Sequence, residues 1–309
     1  MRKYLLGGAL AALVAGAAQA ETIGVSMALF DDNWQTVLRN NMQEYAATLD
    51  DVTLQFEDAS GDISRQQSQI DNFIASGVDG IIVLLVDADS GAAMSAAAAG
   101  AGVPLVFVNL MPPNGDSLPD KQAWVGSDEV LAGTLQAQEI CKRLGGEGEG
   151  VIMLGLLGTS GQRGRTEGVR NVLETPECSG ITIVDEQTAN YMRTPGIDLM
   201  TNWLTSGIRP AAVFSNNDEM ALGAIQALKA SGVPMDEVVV GGVDATKDAM
   251  AAMAAGDLDV TVFQNAEGQG IDSIDTMQKI IKGEPYEKKT FVPFELVTPE
   301  NVAEYEARN

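Results

Sequence analysis

The chain has 309 residues, of which 45% are hydrophobic, with 19 basic and 43 acidic side chains and a formal charge of −24. That balance excludes nucleic acid and anionic membrane surfaces as partners, since both need a basic face, although as a solvation feature it says little about a small ligand. There is no His, which removes the commonest general base and metal ligand and any Ser-His-Asp triad.

The first 20 residues read as a secretory signal peptide. Arg2 and Lys3 form a positive start, Leu5 to Ala18 is apolar and small, and Ala18-Gln19-Ala20 fits a cleavage site before Glu21. The apolar run is too short for a stable membrane span, and no Cys follows the cleavage site to carry a lipid. What remains suits two lobes better than one core. The two cysteines, Cys141 and Cys178, are free to pair in an exported protein, and the sequence leaves open whether their Cα atoms come close enough.

The remaining pattern alternates strands with helices. Strands are expected over 22–27, 52–56, 81–86 and 104–108, and helices over 35–49, 64–76 and 92–100. The run over 81–86 is continuously apolar, as in a strand covered on both faces. This series implies a parallel sheet with right-handed crossovers. Residues 111–122, rich in Pro, Gly and Asp, break the periodicity, and Trp124-Val125-Gly126 starts a second series. Its strands are expected near 151–156, 181–184, 211–215, 238–242 and 260–263, with the clearest helix over 219–230. The fold class is α/β, as two similar units in tandem without a low-complexity linker.

Phe30-Asp31-Asp32-Asn33-Trp34 places carboxylates and an indole on a strand-to-helix loop, at the carboxyl end of a strand where open α/β sheets bind ligands. A carboxylate accepts hydrogen bonds from hydroxyls and a flat ring covers a C–H face, a combination that suits a sugar. Asn109, Asn217 and Asp244 also follow apolar strands. Each alone fits a helix cap; their recurrence in both halves supports a shared polar site between two sheets. Gly155-Leu156-Leu157-Gly158-Thr159-Ser160-Gly161 lacks the spacing of either phosphate-binding glycine motif and reads as a tight turn before a helix. Just beyond it, Arg163 or Arg165 offers a planar fork to vicinal hydroxyls, with a solvated helix face as the alternative for either.

The stretches Ile23-Gly24-Val25-Ser26, Asp31-Asp32-Asn33, Gln69-Ile70-Asp71, Gly77-Val78, Val86-Asp87, Gly102-Val103-Pro104, Val125-Gly126-Ser127-Asp128, Gly242-Val243-Asp244-Ala245 and, most specifically, Asn217-Asp218-Glu219-Met220-Ala221-Leu222-Gly223-Ala224 carry a family pattern. On these the chain resembles, along essentially its whole mature length, the periplasmic sugar-binding proteins of ABC importers, type I periplasmic binding proteins. The nearer likeness is to the glucose/galactose-binding proteins and the further one to the ribose-binding proteins. The resemblance implies two Rossmann-like lobes with parallel sheets joined by a three-stranded hinge. The N-terminal lobe would comprise 21–124 plus 265–292, and the C-terminal lobe 125–264 plus 293–309. It also implies a periplasmic monomer that is not an enzyme, needs no cofactor, and delivers its sugar to an ABC transporter permease. The family's cytoplasmic repressors carry a DNA-binding unit where this chain has a signal peptide.

Position by position, the resemblance makes Asp32 a hydroxyl-binding carboxylate, Trp34 a stacking aromatic and Asn109 a hydroxyl-binding amide. Arg163 or Arg165 supplies the arginine, Tyr191 the second stacking aromatic, and Asn217 and Asp244 the remaining polar contacts. Gln264 stands where the glucose/galactose proteins have Asn and the ribose proteins Gln. The chain departs from the glucose/galactose pattern at Thr159, where they have His, and at Gly161, where they have Asp. Leu110 stands where the ribose proteins have Arg. The segment 145–150 is too short, and lacks the oxygen ligands, for their calcium loop. The expected ligand is a glucose/galactose-like hexose or a pentose, with a cyclitol also open. The competing readings are an exported carbohydrate-active enzyme using Asp32 and Asp244 as acid and base, and a sugar sensor docking on a chemoreceptor.

Overall fold

The computed structural model describes residues 20–306 and residue 308. Except for Ala20, the expected signal peptide lies outside the described residues. The first half runs β1 (Glu21–Met27), α1 (Asn33–Ala46), β2 (Val52–Asp58), α2 (Ile63–Ser76), β3 (Gly80–Val83), α3 (Gly91–Ala101), β4 (Leu105–Val108) and β5 (Gln122–Gly126). The second runs α4 (Glu129–Leu144), β6 (Glu147–Leu154), α5 (Ser160–Leu173), β7 (Gly180–Thr188), α6 (Arg193–Thr205), β8 (Ala212–Ser215), α7 (Asp218–Ala230), β9 (Val239–Gly241), α8 (Lys247–Ala254) and β10 (Thr261–Gln264). The chain ends with α9 (Ala266–Lys282), β11 (Lys289–Phe291) and β12 (Phe294–Val297).

One sheet has the order β11-β5-β4-β3-β1-β2, and every pairing in it is parallel. The other has the order β7-β6-β8-β9, also parallel. Bridges from Gly241 to Val260 and from Asp244 to Phe263 attach β10 to it, and β10 pairs antiparallel with β12. The chain therefore crosses between the sheets three times: after β5, after β10 and between β11 and β12.

Both sheets are covered on both faces, which is why their strands read as apolar runs rather than alternations. On one face of the first sheet Val25, Ile82 and Val106 pack with Leu38, Met42, Ile274 and Met277. On the other, Ile81, Val83 and Phe107 pack with Ile70, Phe73 and Met94. Burying each such side chain is worth about 1.5–3 kcal/mol. Helix α9 thus joins the first core although it follows β10 of the second sheet. The corresponding layers of the second sheet centre on Trp203, Met220 and Val240 on one face and on Ile140, Ile152 and Phe214 on the other.

Two sequence expectations shift. Trp124-Val125-Gly126 does not open the second series; as β5 it pairs with β4 and β11 and closes the first sheet. Its Trp124 is buried among Phe107 and Leu105 of that layer. The run 81–86 is strand only to Val83, and Leu84 and Leu85 stay buried because they continue into the wall of the interlobe cavity.

Cys141 and Cys178 form a disulfide with a Cα–Cα distance of 5.7 Å across a sequence separation of 37. It ties the end of α4 to the loop before β7. Closing a loop of that length should stabilise the fold by about 3–4 kcal/mol through the unfolded state. The variant Cys141→Ser with Cys178→Ser should therefore show a lower chemical denaturation midpoint, with a slope at least as steep because the unbridged chain exposes more surface on unfolding, and an unchanged midpoint would contradict this.

Candidate ligand-binding cleft between the lobes

The carboxyl ends of the two sheets face a cavity of about 290 Å³. Eight of the nine expected site residues line it: Asp32, Trp34, Asn109, Arg165, Tyr191, Asn217, Asp244 and Gln264. The ninth, Arg163, does not. It is exposed on the outer side of α5, in a shallow groove with Glu167, Arg170 and Glu186. Residues two apart on a helix point to nearly opposite sides, so α5 can turn one arginine inward and not both. The choice left open by spacing falls to Arg165.

Arg165 is the best-connected side chain of the cleft. Its Nε donates to Glu129 Oε2 at 2.7 Å, Nη1 to the Asn216 carbonyl at 2.6 Å and Nη2 to Gln264 Oε1 at 3.2 Å. Nη1 also lies 3.7 Å from Asp244 Oδ1. Burial alone would lower the guanidinium's pKa, but Glu129 and Asp244 outweigh it and hold it above its ordinary value. Because a guanidinium only donates, Gln264 must turn its oxygen toward it. That leaves Gln264 Nε2 as a buried donor without a protein partner among the described residues.

Asp32 ends the first loop as the N-cap of α1, its Oδ1 accepting from the Gln35 N–H at 2.8 Å. Burial raises its pKa, the Gln35 N–H lowers it, and the charge of Glu219 raises it further. Two residues on, Trp34 is 6% exposed and its Nε1 donates to the Gln264 carbonyl at 2.9 Å. The ring is thereby pinned across the lobes, with its polar atom used and its apolar surface on the cavity. Asn109 holds a left-handed backbone at φ 67°, which Asn tolerates, and its carbonyl accepts from Trp124 Nε1 at 3.0 Å.

Asn217 is a cap as well as a wall residue. Its Oδ1 accepts from the Met220 N–H at 3.1 Å, starting α7, and its Nδ2 donates to the Tyr191 carbonyl at 3.2 Å. That second bond steadies Tyr191 at φ 63°. A Cβ at Gly155 would stand 2.0 Å from Tyr191 Cζ, so the ring seats directly on that bare backbone. Burial pushes the Tyr191 hydroxyl up to about 12, against the lowering effect of Arg165, so it is protonated at neutral pH.

Asp244 is buried with a strained φ of 121°. Burial holds its carboxyl well above the usual range, Arg165 opposes this, and the charges of Asp218, Asp32 and Glu129 add to it. Two supporting acids, Glu129 and Asp218, were not singled out from sequence. Asp218 accepts from the Thr246 N–H at 2.9 Å and the Thr261 hydroxyl at 2.7 Å, and burial pushes it up to about 7. A Cβ at Gly242 would come within 2.2 Å of its Oδ1, so a bare residue makes its room. The sequence signal for both was slight: each lies at the start of a helix, where an acid is expected simply to complement the helix dipole.

The cleft thus offers flat aromatic surface, carboxylate acceptors and amide and guanidinium donors, contributed by both lobes. A periplasmic binding protein domain matches residues 23–285. The chain belongs to the periplasmic binding protein family. It is 59% identical over 309 residues, covering 100% of both chains, to a Rhizobium meliloti protein whose name proposes rhizopine binding. It is also similar to a solved ABC transporter solute binding protein from Bacillus halodurans C-125 with bound myo-inositol: 43% identity, TM-score 0.89, 95% of this chain and 100% of that one. A Caulobacter myo-inositol binding protein, bound to myo-inositol, matches at 28% identity and a TM-score of 0.84 over 94% of this chain and 96% of that one. The protein is a periplasmic sugar-binding protein of the ABC-transporter type, and these relatives are solute-binding proteins rather than enzymes. Likeness to them does not single out glucose or galactose.

Asp218 and Asp244 bind protons more tightly folded than unfolded. Their contribution to stability is therefore present at low pH and is lost as pH rises, through about 7 for Asp218. The melting temperature of the ligand-free protein should fall as pH rises from about 5 to about 8, and Asp218→Asn should flatten that slope. A wild-type midpoint that rises across this range would contradict the assignment.

Proposed function

We propose that this protein captures a six-membered polyhydroxylated ring of the cyclitol class, such as myo-inositol, and passes it to an ABC permease. The observation that carries the reading is the interlobe cavity, where Trp34 of one lobe and Tyr191 of the other supply ring surface amid polar groups of both signs. A cyclitol presents a hydroxyl at every ring carbon, with no ring oxygen or anomeric centre, so it needs acceptors and donors around its whole edge. Asp32 and Asp244 would accept, and Gln264 Nε2, Asn109 and Arg165 would donate. The myo-inositol held by the 43% identical neighbour supports this over a hexose.

The two lobes would close around the ring by bending at the three crossings, the first of which follows β5 at Gly126 rather than falling at the expected 124/125 boundary. Asn33 Nδ2 donates to Glu219 Oε1 at 2.7 Å across the mouth, a contact that belongs to a closed arrangement. A ligand touching both lobes favours that arrangement by its differential affinity. In this reading the protein works in the periplasm after removal of residues 1–20.

Each charge-assisted hydrogen bond in the cleft is worth about 1.5–3 kcal/mol. Isothermal titration should give the tightest binding for myo-inositol among myo-inositol, glucose, galactose, ribose and xylitol. Trp34→Ala and Asp32→Ala should each weaken it at least about tenfold. The ligand should be recovered chemically intact after prolonged incubation. Tighter binding of glucose or galactose, or wild-type affinity in both variants, would overturn the proposal, and a released product would make the protein an enzyme.

A further inference from the structure

At the mouth of the cleft the starts of two helices, one from each lobe, face each other. Asn33 is the first residue of α1 and Glu219 the second of α7. Neither lines the cavity, but each follows a helix cap that does: Asp32 directly precedes Asn33, and Asn217 stands two residues before Glu219. Asn33 Nδ2 donates to Glu219 Oε1 at 2.7 Å, joining residues 186 apart in sequence. A carboxylate only accepts, so the amide must present its nitrogen and this bond has one polarity. Two facing helix starts both carry partial positive charge and repel, and an acid in the first turn of α7 offsets that repulsion.

Glu219 is held in place from within its own lobe. Arg193, the first residue of α6, donates from Nε to Oε2 and from Nη2 to Oε1, both at 2.8 Å, and Nη2 also reaches Asp248 Oδ2 of α8 at 2.7 Å. Helices α6, α7 and α8 all belong to the second lobe, so this brace does not depend on closure. The guanidinium fork fixes the plane of the carboxylate before Asn33 arrives, and closure then orders little at that point. The Met111 N–H also reaches across the lobes, to Ser160 Oγ, but at 3.4 Å that bond is weak.

We infer that Asn33 and Glu219 form a latch for the closed arrangement, with Arg193 as its positioning residue, and that the latch sets how long a bound ring stays. The inference rests on the closing motion proposed above and deepens it. A bond made only when the lobes meet shifts the open–closed equilibrium by its own free energy. The lining of the cavity decides what binds; the latch, which lies outside that lining, slows the release of whatever is bound.

The test is stopped-flow tryptophan fluorescence of ligand association and release, since Trp34 lies on the cavity, with melting curves of the ligand-free protein as the fold control. With myo-inositol, Asn33→Ala should release about three- to tenfold faster, the range of one net hydrogen bond, at an association rate within about twofold of wild type. Asn33→Asp sets two carboxylates against each other and should release faster still. Adding Glu219→Gln to it restores a donor facing an acceptor and should bring release back toward wild type. Arg193→Ala should speed release in the wild-type background but add little to Asn33→Ala, because both act through one contact. The fold-changes should be the same for every ligand that binds. Unchanged release in both Asn33 variants, or no recovery on adding Glu219→Gln, would overturn the latch, and a fold-change that differs between ligands would make Asn33 a ligand contact instead. If myo-inositol fails to bind while xylitol, ribose, glucose or galactose binds, the cyclitol reading falls and the same fold-changes are required of the latch with that ligand; binding of none of them would overturn both.

Discussion

The cleft depends on the buried guanidinium of Arg165. It gathers the start of α4 through Glu129, the end of β8 through the Asn216 carbonyl and the end of β10 through Gln264, with Asp244 beside it. Removing these charges from water costs several kcal/mol per ion, and the arrangement is tolerable because each is paired and hydrogen-bonded. Deleting one partner would leave an uncompensated buried charge, a loss of about 3–5 kcal/mol. The same network orients the cavity: it fixes which end of Gln264 faces inward and keeps Asp244 near a compensating charge.

Much of the site is built from groups with two duties. Asp32 and Asn217 start helices and also line the cavity. The Trp34 N–H and the Asn217 amide brace the wall, which leaves ring surface facing the cavity. Glycines complete the shape at Gly155, Gly161 and Gly242, where a Cβ would collide with Tyr191 or Asp218. A wall already braced loses little entropy on binding, so more of each contact's energy reaches affinity.

The legible part of this site was its position. Polar residues after apolar strands mark the carboxyl edge of a parallel sheet, and that placed Asp32, with Trp34 on the same loop, and Asn109, Asn217 and Asp244, while the family resemblance added Tyr191 and Gln264. What stayed hidden was everything that depends on distant partners. Arg163 and Arg165 are indistinguishable by composition, and only the rotation of α5 against Glu129 selects between them. Asp218 meets Thr261, 43 residues away, and looks like any helix-start acid until the two are brought together. Strand β5 was assigned to the wrong sheet because strands buried on both faces share one apolar signature, and their neighbours are set by non-local pairing.

The proposed function places a ring polyol between two aromatic surfaces, with one carboxyl group from each lobe on its hydroxyls. The most direct measurement is a crystal structure of the protein grown with myo-inositol. The account requires the ring between Trp34 and Tyr191, with Asp32 and Asp244 accepting from its hydroxyls and Arg165 still joined to Glu129. A ring bound outside this cleft, or one contacting a single lobe, would contradict it.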